Sequence, residues 1–345
     1  MPSLLAYLVP VLAAFGLSAG LTRLLSVHLT ILDVPNARSS HAVATPRGGG
    51  LAIVAAFAGG IALAWAGGFG ALFRGGEFLV FCAAALSIAA VSLYDDFCTL
   101  PAKVRLLAQS AAAMLAMYGG MVVEHLPLLG GFDLGVLAYP LTLLWMVGLV
   151  NAYNFIDGLD GFAAATAVIA AAFLAFIAAL AGNEQVLWMA MLLSAASGGF
   201  LLFNWQPARI FMGDVGSTFI GFCFAAMAVI AARAGAGHID IFVVPLLLFH
   251  FLFDAVFTFL RRLVAGENVF SAHRSHLYQL LNRMGWSHRR AATAYAAAAV
   301  LQGIAAIWMV KNPAEERLIV FLPFVIAYLL VAWQVVRRAL ARKII

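Results

Sequence analysis

Charge is what this sequence has least of. Only 10% of its 345 residues are Asp, Glu, Lys or Arg, and just 15 are acidic. With 65% hydrophobic residues and a mean hydropathy of +1.01, the chain holds more apolar side chain than a water-soluble interior of this length can cover, which excludes a soluble globular enzyme. Cysteine is scarce too. Cys82, Cys98 and Cys223 stand apart, so neither a disulfide framework nor a cysteine metal cluster is available. The opening residues Met1-Pro2-Ser3-Leu4-Leu5 lack the basic start and small-residue cleavage site of a secretory signal, and the first apolar run therefore reads as a retained span. Low-complexity linkers, convincing repeats and a soluble domain are also missing. Residues 1–345 read as a single polytopic membrane domain.

What the chain does have is long apolar runs. Stretches long enough to cross roughly 30 Å of hydrocarbon at 1.5 Å per residue fall at 4–25, 49–67, 78–94, 104–121, 133–152, 162–181, 186–203, 215–232, 241–260, 293–310 and 318–336. The predicted fold is an all-α integral membrane protein with about eleven transmembrane helices. Of the 20 Lys and Arg residues, sixteen fall on the side that carries the C-terminus and four on the other. Basic residues are retained in the cytoplasm, so the N-terminus is expected outside and the C-terminus inside. The pI near 9.3 is then mainly a topology signal. A basic inner face also attracts anionic head groups or a phosphorylated substrate, and nucleic acid is not implied.

The polar residues gather in the loops of that inner face. The first runs from Asp33 to Gly50 and contains Arg38, His41, Arg47 and the triple glycine Gly48-Gly49-Gly50. The glycines read as a flexible helix start, or as amides that hold a phosphate with help from the three cations. The second carries Asp95-Asp96 at a helix C-terminus, where the dipole disfavours anions. One aspartate can serve the turn before Thr99-Leu100-Pro101. A pair suits metal binding or a base whose proton affinity is raised by its neighbour.

Asn151-Ala-Tyr-Asn154-Phe-Ile-Asp157-Gly-Leu-Asp160-Gly161 packs two carboxamides, two carboxylates and two glycines into eleven residues. On a continuing helix Asn154 would lie about 60° and Asp157 about 120° around from Asn151, forming one wall of a cavity. Gly158 and Gly161 then break the helix, and Asp160 is free either to cap the next one or to join the site. The fourth loop holds Asn204, Phe211 and Asp214, the last also a candidate cap. His250, Asp254 and Arg261 share one helical face. An unpaired carboxylate in the bilayer costs roughly 2.5 to 3.5 kcal/mol, so Asp254 should be paired or near a wet cavity. The last loop carries His273, Arg274 and His276. Hard oxygen ligands at one membrane surface suit Mg²⁺, which takes one or two carboxylates and completes its shell with water and phosphate. The set is equipped for phosphoryl transfer between a soluble diphosphate and something lodged in lipid. A transporter or flippase is the rival from another class, but would place such groups near the midplane with repeat symmetry.

In combination, Pro35-Asn-Ala-Arg-Ser-Ser-His41 with Pro46-Arg-Gly-Gly-Gly50, Asp95-Asp96, Asn151 to Gly161, Phe211-Met-Gly-Asp214-x-Gly-Ser217 and His273-x-x-His276 resemble the polyprenyl-phosphate N-acetylhexosamine-1-phosphate transferases, relatives of phospho-N-acetylmuramoyl-pentapeptide transferase. The resemblance covers about residues 20 to 290. It implies that Asn154 and Asp214 help hold Mg²⁺, or Mn²⁺ in its place, on the diphosphate, and that Asn204 and Phe211 recognise uridine. Arg38, His41, Asn151, His273 and His276 are expected to bind substrate, as is Lys103 or Arg105. It also implies that Asp95 or Asp96 deprotonates the lipid phosphate, which attacks the β-phosphate of a UDP-activated amino sugar and releases UMP. Asp157 and Asp160 join the catalytic set without assigned roles. Undecaprenyl phosphate is the implied acceptor, the bacterial inner membrane the location with the active site on its cytoplasmic side, and a homodimer a common assembly in the family. The last loop lacks the three-histidine run of the pentapeptide transferases. This departure favours the branch that starts O-antigen or other surface glycans with an N-acetylhexosamine or deoxy derivative over the muramoyl-pentapeptide alternative.

Overall fold

The computed structural model describes residues 4–35, 43–127, 131–233, 235, 237–269 and 273–345, so Arg38 and His41 lie outside the described residues. Helices dominate: α1 (Leu4–His28), α2 (Gly50–Ala64), α3 (Gly76–Cys98), α4 (Ala102–Tyr118), α5 (Ala138–Ile156), α6 (Phe162–Ala181) and α7 (Glu184–Asn204). They continue with α8 (Gly213–Ala231), α9 (Val243–Leu247), α10 (Phe249–Val264), α11 (Leu277–Arg283), α12 (His288–Lys311) and α13 (Phe321–Ala341). Two antiparallel pairs of short strands join loop segments: β1 (Leu32–Asp33) with β2 (Thr45–Pro46), and β3 (His125–Leu126) with β4 (Phe132–Asp133).

Among the described residues, nine helices are long and apolar enough to cross a membrane by length and composition. The other two predicted spans fall on α4, of 17 residues, and on the pair α9 and α10, which part at Leu248. Pro245 sits in the first turn of α9, where its missing amide costs no ladder bond, so it does not account for the break at Leu248. The last loop, between predicted spans 241–260 and 293–310, contains a short helix of its own, α11.

α8 is the central element, packed by α2, α3, α5, α6, α7 and α9. Every one of its residues except Asp214 is buried. Close approach to α2 depends on glycine. A Cβ on Gly50 would lie 2.2 Å from the Cα of Gly216, so the two backbones touch where any side chain would separate them. The buried histidine of α10 is paired. The His250 ring meets the Thr166 hydroxyl at 3.2 Å and the Gln302 carbonyl oxygen at 2.7 Å, and Gln302 donates to Tyr328. On the outside, α1 and α13 expose Leu12, Leu24, Leu330 and Trp333, a surface suited to hydrocarbon.

Candidate active site

The C-termini of α3 and α5 meet the N-termini of α2, α4 and α8 at one end of the bundle. The backbone builds this junction first. Phe211 N donates to the Pro46 carbonyl, and the amides of Gly48 and Gly49 donate back to the Phe211 carbonyl at 3.3 and 2.9 Å. Gly50 N donates to Met212 O at 2.8 Å. The triple glycine is therefore neither a loose helix start nor a phosphate cradle: its amides are spent on joining the first loop to the fourth. Gly213, with φ +75°, takes a left-handed turn into α8, and a Cβ there would sit 2.6 Å from the Asp96 carboxylate.

Asp95 and Asp96 divide their work. Asp96 accepts the amides of Asp214 at 2.9 Å and Val215 at 3.1 Å, capping the first turn of α8 from another helix. That explains a carboxylate at the unfavourable end of α3, since its charge faces the positive end of α8. Asp95 accepts the Leu100 amide and so serves the turn into α4. Asp214 is thereby an end residue of α8 whose own carboxylate is left for the site. Arg47 Nη2 reaches Asp214 Oδ1 at 2.6 Å and Arg47 Nε reaches Asp96 Oδ1 at 2.9 Å. Arg105 Nη1 lies between Asp95 Oδ2 at 3.4 Å and Asp214 Oδ2 at 3.3 Å. Arg105, rather than Lys103, thus joins the carboxylates. Lys103 is exposed and pairs with no described carboxylate.

α5 persists to Ile156, so Asn151 and Asn154 are helical as expected. Asn154 donates to Ser217 Oγ at 3.0 Å and borders Asp214. Asn151 instead turns toward α4, donating to Gln109 Oε1 at 2.6 Å. Asp157 ends the helix. No described hydrogen bond or ion pair reaches its carboxylate, and burial, reinforced by the negative charge of Asp214, pushes its pKa up to about 7; Arg47 works against the shift.

Asp160 does not cap α6. Its Oδ2 accepts the Ala208 amide at 3.1 Å and its Oδ1 pairs with His288 at 3.0 Å. The capping task passes to Asn204, buried at 3% exposure, whose Oδ1 accepts Gly161 N and whose Nδ2 donates to Ile210 O. Gly161, at φ +72°, faces Trp205 so closely that a Cβ would lie 2.6 Å from its ring. Phe211 stays half-buried at the junction.

The last loop closes on the same turn. Tyr278 donates its hydroxyl to Phe155 O at 3.0 Å, and a Cβ on Gly158 would fall 2.3 Å from that oxygen. Asp254 is paired, as its depth requires: it holds His276 Nδ1 at 3.2 Å and accepts the amides of Leu277 and Tyr278. The His273 ring lies 4.9 Å from that of His276 at a tilt of 33°, and burial, with the positive field of His276, Arg262 and Arg261, lowers its pKa to about 4. Sequence reasoning gave no site role to Tyr278, Gln109 or His288, held Ser217 only as a motif residue, and saw Arg47 only as a helper of the glycines. The tyrosine and the arginine sit beside motif residues, but their partners lie in other loops.

An apolar-coated helix bundle that gathers carboxylates, guanidinia and a carboxamide where its helices end is a polytopic membrane protein with a charged cluster at one end. The model of glycosyl transferase family 4 matches residues 78–232. A Bacillus subtilis protein named probable undecaprenyl-phosphate N-acetylglucosaminyl 1-phosphate transferase is 30% identical over 268 residues, 77% of this chain and 73% of the relative. The decaprenyl-phosphate N-acetylglucosaminephosphotransferase of Mycobacterium tuberculosis is 33% identical over 316 residues, 81% of this chain and 78% of the relative. The undecaprenyl-phosphate alpha-N-acetylglucosaminyl 1-phosphate transferase of Yersinia pestis is 24% identical, covering 91% of this chain and 88% of its own length. The chain belongs to this family of polyprenyl-phosphate N-acetylhexosamine-1-phosphate transferases.

Proposed function

We propose that this chain transfers a sugar 1-phosphate, an N-acetylhexosamine or deoxy derivative, from a UDP-sugar to undecaprenyl phosphate, giving the polyprenyl-diphosphate sugar and UMP. The reaction initiates O-antigen or another surface glycan at the cytoplasmic side of a bacterial inner membrane. The observation that carries the reading is the convergence of Asp95, Asp96 and Asp214 on Arg47 and Arg105 at one end of the bundle. In this reading α4 and the α9–α10 pair cross the bilayer too, giving eleven spans with the N-terminus outside.

The donor set fits a divalent cation. Four carboxylates, Asp95, Asp96, Asp157 and Asp214, face two guanidinia, so two negative charges remain when all are ionised. Among the described residues no three His, Cys, Asp or Glu side chains form a ready cage. Mg²⁺ suits such a site, because it takes few protein carboxylates and relies on substrate phosphate and water. Asp214 and Asn154 would hold it, and once bound it would draw charge from the diphosphate as the bond to the UMP phosphate breaks.

The remaining work falls to the chain's own groups. An oxygen of the lipid phosphate attacks the β-phosphorus of the UDP-sugar, one P–O bond forms, and UMP leaves with the electron pair of the other. Asp157 is the better proton acceptor, because its carboxylate is uncommitted and its pKa of about 7 suits a base working at neutral pH. Asp96 has spent its oxygens on two amides and Arg47, and Asp95 serves the Leu100 turn and Arg105. Phe211 offers the face on which the uracil stacks. Asn204 and Asp160 hold the 157–161 turn against the fourth loop, and Asn151 fixes α5 to α4. The test is purified protein with undecaprenyl phosphate, Mg²⁺ and a panel of UDP-sugars. UMP release with an amino-sugar donor is expected; turnover of UDP-muramoyl-pentapeptide alone, or of no donor, overturns the reading.

A further inference from the structure

We propose that Arg47 is a phosphate-binding residue that changes partner when substrate arrives: its guanidinium leaves Asp214 for a phosphate oxygen of the sugar nucleotide and stays anchored on Asp96. The inference rests on the transferase reading above.

The two ends of the guanidinium are held unequally. Nε meets Asp96, whose side chain is fully buried and fixed by two α8 amides. Nη2 meets Asp214 at the open end, and the Arg47 side chain is 33% exposed. Among the described residues, Nη1 has no carboxylate partner. The planar guanidinium can therefore tilt as one rigid unit on its Nε–Asp96 contact, which carries Nη2 away from Asp214.

Asp214 makes the exchange necessary. Its Oδ1 is taken by Arg47 and its Oδ2 by Arg105. A carboxylate neutralised on both oxygens is a poor cation ligand until one guanidinium withdraws. Arg105 would lose Asp95 and Asp214 together, because the same nitrogen touches both. Arg47 gives up one contact and keeps the other.

Position favours Arg47 as well. Its backbone is bridged to Phe211, and the residues on either side exchange hydrogen bonds with Phe211. A base stacked on that ring would bring its diphosphate close to Arg47. The planar fork of a guanidinium matches phosphate oxygens as well as it matches a carboxylate. After the exchange both Asp214 and the phosphate charge have partners.

The experiment is binding by the full chain in lipid nanodiscs, with Mn²⁺ followed by electron paramagnetic resonance and UDP or uridine by calorimetry. Arg47→Met is expected to tighten Mn²⁺ binding by nucleotide-free protein about tenfold, since Asp214 loses a competing cation, and to weaken UDP binding by about tenfold to a hundredfold while uridine binding holds. Arg47→Lys keeps a cation near Asp214 but cannot span both carboxylates; it should bind Mn²⁺ like wild type and UDP several-fold more weakly. Weaker binding of Mn²⁺ and UDP together in Arg47→Met would mean a structural role and overturn the exchange, as would UDP binding unchanged from wild type. Wild-type protein that binds neither UDP nor uridine overturns the transferase reading and the exchange with it.

Discussion

Asp157 and Asp214 are both carboxylates of the reactive end, yet their surroundings give them opposite work. Asp214 is braced by two guanidinia, whereas Asp157 is buried, feels the negative charge of Asp214 and has only the more distant Arg47 to offset it. With a pKa of about 7, Asp157 is protonated below neutrality, so kcat/KM for UMP release should fall as pH drops below about 7, and Asp157→Asn should remove both the activity and that limb. Stability moves the other way. Because the folded pKa lies above the unfolded one, folding is favoured by the proton, and the penalty grows as pH rises from about 4 to about 7. Asp157→Asn should therefore raise Tm by a few degrees at about pH 8 and leave it unchanged near pH 4. Asp214→Ala, by contrast, should abolish UMP release while the protein still inserts in the membrane; normal release from that variant would remove its assigned metal role. Motif spacing was enough to single out Asp157, Asn154 and Asp214. It could not show that Asp96 caps α8, that Asp160 belongs to His288, or that Asn204 is spent on the turn, because each of those roles depends on a partner in a different loop.

The glycines at helix contacts govern the next scale. Gly50 and Gly216 bring α2 and α8 together just past the residues that carry Arg47 and Asp214. Gly50→Ala would place a methyl against backbone that cannot rotate away, so it should lower stability by about 1 to 3 kcal/mol and reduce UMP release by separating the two charged groups. Gly16→Ala in α1, where nothing lies within 4 Å of the added carbon, is the control and should leave both unchanged. Helix positions were readable in advance because a bilayer demands long apolar runs, and 162–181 matches α6 end for end. The break at Leu248 was not readable, since the composition stays apolar across it. Nor was α11, whose seven residues start on the His276–Gln279 cap and are held by contacts from Asp254 in another helix.

At the scale of the whole molecule, the distribution of polar groups separates a transferase from a carrier. The buried titratable groups of α10, His250 and Asp254, are both engaged with neighbours, and the carboxylates shared by Arg47 and Arg105 lie where helices end. Cytoplasmic labelling of a cysteine placed beside His276 should confirm which end faces inward; labelling only from outside would reverse the proposed orientation. α8, meanwhile, is enclosed by protein along its length, while α1 and α13 carry the apolar exterior. A bilayer that is too thin or too thick is accommodated by tilting of the helices that touch it, at fractions of a kcal/mol per ångström of mismatch. Mechanical strain from the membrane should thus be absorbed at the rim, leaving the depth of Asp214 unaltered. Turnover in vesicles of graded acyl-chain length should consequently stay level across several ångströms of thickness, whereas a steep optimum would mean that the enclosing helices transmit the load inward.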